Sequence, residues 1–135
     1  MKPSHLAFPF LLLSVAVLSL SALRAKTVFK AGEDGYRIYR IPAVVKTANG
    51  RLLAFCEARQ GGDASEIDLV VKRSKDGGKS WGFLKVVQES SDFVQILGGR
   101  TKDITIGNPA PVVDLLDPDH PGRIWLPFTL ENDRV

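Results

Sequence analysis

The chain has 135 residues, 44% of them hydrophobic and 24% charged, and its apolar N-terminus reads as a removable leader that leaves roughly 110 residues to fold. That length excludes a large multidomain enzyme, and the ordinary composition excludes a disordered chain. The formal charge of +3 falls to +1 once Lys2 and Arg24 of the leader are set aside, with the remaining signs interspersed; no basic stripe points to nucleic acid.

The leader covers residues 1–25. Lys2 and His5 precede an apolar run over 6–20, and Ser21, Ala22 and Ala25 are small residues where a signal peptidase could cut. The run contains Pro9 and is short of the ~20 residues a bilayer span needs, so a cleaved signal peptide is expected rather than a retained anchor. The predicted location is secreted or periplasmic, with no obligatory membrane association. Residues 26–135 are then the folding unit.

Beyond the leader no long 3.6-period apolar stripe occurs; short β-branched runs cut by turn residues predict an all-β chain of about six strands. The first lies at 36–46, and Asn49-Gly50 signals a two-residue hairpin into a second strand at 51–58. Cys56 is the only cysteine and sits in an apolar run, which suits a small core residue better than a nucleophile. With His5 and His120 the only histidines, no metal-ligand cluster or cofactor is expected.

A Gly-rich polar loop at 59–65 leads to a third strand at 66–73, where apolar and polar residues alternate. A fourth is expected at 82–87, completing an antiparallel meander. Between them Ser74, Asp76, Gly78 and Trp81 fit S-x-D-x-G-x-x-W, the Asp box. Asp76 and Ser74 can bond backbone N–H groups across the turn, Gly77 and Gly78 can supply positive φ, and Trp81 can pack over the hairpin. Only Asp76 is acidic, so the ligand pattern of a calcium loop is missing. The segment 88–107 reads as a long connection with a short strand near 94–97. Two more strands are predicted at 110–115 and 123–129.

Taken together, Tyr39-Arg40-Ile41-Pro42, Glu57-Ala58-Arg59 followed by Asp63, the Asp box, and Gly107-Asn108-Pro109-Ala110-Pro111 resemble the N-terminal part of the sialidase (exo-α-neuraminidase) family. The resemblance runs over about 36–129. It implies a six-bladed β-propeller, of which a chain this long holds about one and a half blades, since a blade takes roughly 40–50 residues. It implies removal of terminal α-linked sialic acid from glycoproteins, glycolipids or oligosaccharides, with retention and exo action. The chain is expected to be an incomplete portion, inactive by itself. The alternative is a non-enzymatic Asp-box propeller that binds carbohydrate or protein.

Sialic acid carries a carboxylate on its anomeric carbon, and a planar guanidinium suits that group. By resemblance Arg40 is the first arginine of the carboxylate clamp; read alone, it could be a solvated strand residue paired with Glu33 or Asp34. Arg59 matches the arginine that contacts the ring substituents, against an ion pair with Glu57 or Asp63. Asp63 matches the general acid/base, in a loop where partial desolvation is expected to raise its proton affinity. Asp68 is the rival carboxylate but lies inside a strand. Asn108 matches a position near the N-acetyl group, though Asn before Pro also opens turns. Tyr36 and Tyr39 match no nucleophile motif, and the family's nucleophilic Tyr, its Glu and the other clamp arginines match nothing in these residues.

Overall fold

The computed structural model describes residues 25–131. The leader, apart from Ala25, lies outside the described residues. Among the described residues eight short strands form three antiparallel sheets, with β1 (Ile38–Lys46), β2 (Leu52–Arg59), β3 (Ile67–Ser74) and β4 (Lys85–Gln88) arranged in that order as the expected meander. The remainder pairs β5 (Ile106–Gly107) with β8 (Thr129–Leu130), and β6 (Val112–Asp114) with β7 (Arg123–Trp125). Among the described residues no helix is long and apolar enough to cross a membrane.

The first turn differs from the two-residue loop expected of Asn49-Gly50. Thr47 N–H donates to the Arg51 carbonyl at 2.8 Å, Gly50 N–H donates to the Thr47 carbonyl at 2.9 Å, and Gly50 alone takes positive φ, at 80°. The loop therefore has three residues and ends on a left-handed glycine, because a two-residue type I′ turn would need positive φ at Asn49 as well. The Thr47 hydroxyl accepts the Arg51 N–H at 3.0 Å and closes the corner.

β1 is an edge strand and carries a bulge. Its register with β2 shifts between Arg40 and Ala43, where Ile41 has φ 52° and Pro42 has no N–H to give. A β-branched residue in the left-handed region is strained, so the surrounding pairs hold this bend in place. Arg40 sits on its N-terminal side, opposite Glu57.

β2 and β3 are the interior strands, and both faces of β2 are covered from Ala54 to Arg59. On one face Cys56, Ala58 and Val70 form a buried cluster packed by Phe29, Tyr36, Tyr39 and Leu84. Cys56 is thus a core residue, and burial pushes its thiol up to about 11. Asp68 is structural too: it accepts the Tyr36 hydroxyl and the Ser90 N–H, each at 2.8 Å. The other face carries Phe55, Glu57 and Arg59, alternate residues of one strand.

The residues of the Asp-box sequence lock the β3–β4 turn. Ser74, 1% exposed, accepts the Gly78 N–H at 2.9 Å and donates to Asp76 at 2.8 Å, and Asp76 accepts the Ser80 N–H at 2.9 Å. Gly77 and Gly78 have φ 71° and 91°, as the turn requires. Bonds from the Ser80 hydroxyl, the Ser80 N–H and Ser74 hold the Asp76 carboxyl below the ordinary carboxylate range.

Two expected strands are corrected. Residues 94–97 form turns after a 3-10 segment, Ser90–Phe93, because Gly98 and Gly99 (φ 68° and 85°) curl the chain back and the Gly99 N–H reaches the Val94 carbonyl at 2.8 Å. The stretch at 123–129 splits into β7 and β8 around Pro127, which cannot donate to a ladder and whose carbonyl instead accepts the Ala110 N–H at 2.9 Å.

Candidate functional site

Period-two spacing places Glu57 and Arg59 on one face of β2, and the β1 register sets Arg40 beside Glu57 and Ile38 beside Arg59. The β2–β3 loop returns Asp63 over the same face. Asp63 Oδ1 accepts Arg40 Nη1 at 2.8 Å and also accepts a short bond from Arg59 Nη1. Arg59 Nε donates to Glu57 Oε2 at 2.8 Å, joined there by Arg59 Nη2. The result is an alternating row, Arg40–Asp63–Arg59–Glu57, in which two positive and two negative groups balance.

The row runs from solvent to interior. Asp63 and Arg40 are 69% and 52% exposed at their side chains, whereas Arg59 and Glu57 are 6% and 3% exposed. Burial works against the Arg59 charge, but bonds to Asp63 and Glu57 outweigh it and raise its proton affinity. Asp63 moves opposite to expectation. The Arg59 hydrogen bond, then the charges of Arg40 and Arg59, hold its carboxyl below the ordinary range and outweigh the desolvation that works to raise it.

Arg40, Ile41, Glu57, Arg59, Asp63 and Asn108 line a cleft of about 190 Å³. Ligand pockets commonly hold ~300–1,000 Å³, so these residues make one wall of a site. Arg40 does not pair with Glu33 or Asp34, which bind Lys30 and Lys72 instead. Its bond to Asp63 uses one of the five guanidinium N–H groups, leaving the fork available to a carboxylate ligand. Asn108 joins the wall from the other sheet, at φ 54°; its N–H donates to Glu57 Oε1 at 2.7 Å and its Nδ2 to Thr129 Oγ1 at 3.1 Å. All four residues singled out for the site therefore meet in one cleft. A groove of about 480 Å³ beside Trp81, Phe83 and Val71 is larger but is lined by no carboxylate for acid/base work.

Glu57 is the site residue that sequence reasoning passed over, having treated it only as an ion partner for Arg59. A signal existed: a charged residue within an apolar strand, two positions from an arginine, must share that arginine's face. Among the described residues no group of three or more His, Cys, Asp or Glu side chains could hold a metal ion.

No protein-family model matches the chain. Curated proteins do. An exo-alpha-sialidase of Aspergillus fumigatus is 39% identical over 82 residues, covering 59% of this chain and 19% of that protein. A sialidase of Bacteroides fragilis is 30% identical over 87 residues, covering 62% of this chain and 15% of its own length. Among solved structures, the Hadza microbial sialidase Hz136 aligns with TM-score 0.57 and 33% identity over 71% of this chain and 18% of the other. Over more than half of its length the chain is similar to sialidases, and it spans about a fifth or less of the relatives it matches.

Proposed function

We propose that the chain is the N-terminal part of a secreted sialidase, a retaining, exo-acting glycoside hydrolase that removes terminal α-linked sialic acid from glycoconjugates. Its meander is the first blade of a six-bladed propeller, joined at the turn by an Asp box at Ser74, Asp76, Gly78 and Trp81. The observation that carries this reading is the meeting of Arg40, Arg59 and Asp63 in one cleft, since a carboxylate-bearing sugar needs a fixed cationic clamp beside a proton donor. In this reading Arg40 binds the sugar carboxylate, Arg59 and Asn108 contact the ring substituents, and Asp63 is the acid/base. Sialidases depart from the two-carboxylate scheme by using a Tyr nucleophile, and no motif in these residues supplies it.

The ionised state of Asp63 is compatible with acid catalysis through exchange of partners. A ligand carboxylate arriving at Arg40 takes over that guanidinium, and Asp63, relieved of one cation beside a second anion, gains proton affinity. The same ionised state favours the second reading, a binding module without chemistry, in which Asp63 only orients the arginines. Release of sialic acid from a fluorogenic sialoside by the complete reading frame separates the two. Turnover that falls on Asp63→Ala with a natural glycoside and partly survives with an activated leaving group supports the hydrolase, because a good leaving group needs little protonation. Turnover unchanged on both substrates removes Asp63 from the acid role. The 135-residue chain by itself is expected to give no hydrolysis.

A further inference from the structure

Glu57 stands where the two walls of the cleft meet. Its carboxylate divides its acceptors between two sheets: Oε2 takes Arg59 of β2, and Oε1 takes the Asn108 N–H at the end of β5, 51 residues away in sequence. Such a group, 2% exposed, carries a desolvation cost that is offset only if its partners stay in place. The backbone opposite is shaped to receive it. A Cβ on Gly107 would lie 2.6 Å from Glu57 Oε1, closer than real Cβ atoms approach, so a side chain there would push the carboxylate from its place on the Asn108 amide. The carboxylate is a short rigid bar whose ends meet Arg59 and Asn108.

We propose that Glu57 is a positioning residue that sets the spacing between Arg59 and Asn108 in the sialic-acid site, with Gly107 as the backbone seat that permits it. This rests on the sialidase reading above for its ligand, though not for its geometry. Glu57 touches no ligand in this scheme; it acts through an arginine fixed from behind and an amide fixed from below.

The test uses the product of the complete reading frame labelled with ¹⁵N. Glu57→Gln keeps the shape, removes the charge and replaces one acceptor oxygen by a donor. It is expected to move the Arg59 Nε–H and Asn108 N–H resonances together while the Gly78 and Ser80 amides of the distant turn stay in place. Gly107→Ala, which changes no Arg59 contact directly, is expected to move the Arg59 Nε–H as well, by displacing Glu57, and serves where the first variant fails to fold. Titration with free sialic acid is expected to be about tenfold weaker in Glu57→Gln, with little further loss when Glu57→Gln is added to Arg59→Ala. Gly107→Ala that leaves the Arg59 resonance unmoved, or losses that simply add in the double variant, would overturn the proposal. A product of the complete reading frame that binds no sialic acid counts against the sialidase reading, while the two resonance shifts still decide whether Glu57 couples Arg59 to Asn108.

Discussion

Asp63 and Asp76 flank β3, one in the loop before it and one in the turn after it, and both are held ionised below the ordinary carboxylate range. Their partners differ in kind. Asp76 is bound by hydroxyls and amides within four residues, neutral groups that exist wherever this turn forms. Asp63 is bound by two guanidiniums from two strands, groups that a second anion can claim. The turn therefore stores stability in a local staple, whereas the cleft holds charge in an exchangeable form. An acid of lowered proton affinity is held by neutral groups in one place and by cations in the other.

The contrast is broken most severely from the buried end of the charged row. Glu57→Ala leaves Arg59 interred without its buried counter-ion and is expected to cost about 3–5 kcal/mol, read as a shift in the urea midpoint. Ser74→Ala removes the buried hydroxyl that accepts the Gly78 amide, and about 1–3 kcal/mol is expected by the same measurement. Asp63→Asn is expected to shift the midpoint at neutral pH less than either, since Asp63 and Arg40 lie largely in solvent and buried Arg59 keeps Glu57.

Acid sharpens the difference. A carboxyl whose proton affinity is lowered by folding contributes stability above its ordinary value near 3.8, and that contribution is lost as the pH falls through the lower folded value. Stability is therefore expected to decline below about pH 4, with Asp76→Asn removing more of the slope than Asp63→Asn. The smallest effect is that of salt. At about 1 M the screening length is ~3 Å, so the Asp63 carboxyl, followed by ¹³C NMR, should titrate closer to its ordinary value, while Asp76, bound by neutral groups, should not move.

The four-strand meander was legible because each of its strands is a short run bounded by strong turn residues. The stretch at 94–97 was not, since its apolar residues serve a local turn and Phe93 packs edge-to-face on Phe128 at 5.9 Å, a contact no local pattern announces. Arg40, Arg59, Asp63 and Asn108 could be proposed from motif order and do meet in one cleft. The ionisation of Asp63 could not, because it depends on two strands delivering arginines to one oxygen. Nor could the role of Glu57 be read, since the Asn108 amide and the bare Gly107 backbone come from a distant sheet.

Cys56 gives the chain a built-in clock. It is the sole cysteine, 2% exposed, and its thiol donates to the Arg40 carbonyl at 3.0 Å, directly behind the outermost arginine of the cleft. A thiol reagent in solution can reach it only when the segments packed over it open, so the rate of its modification counts those openings one molecule at a time. An anion that grips Arg40 from the front should slow that count, turning occupancy of the cleft into a labelling half-life.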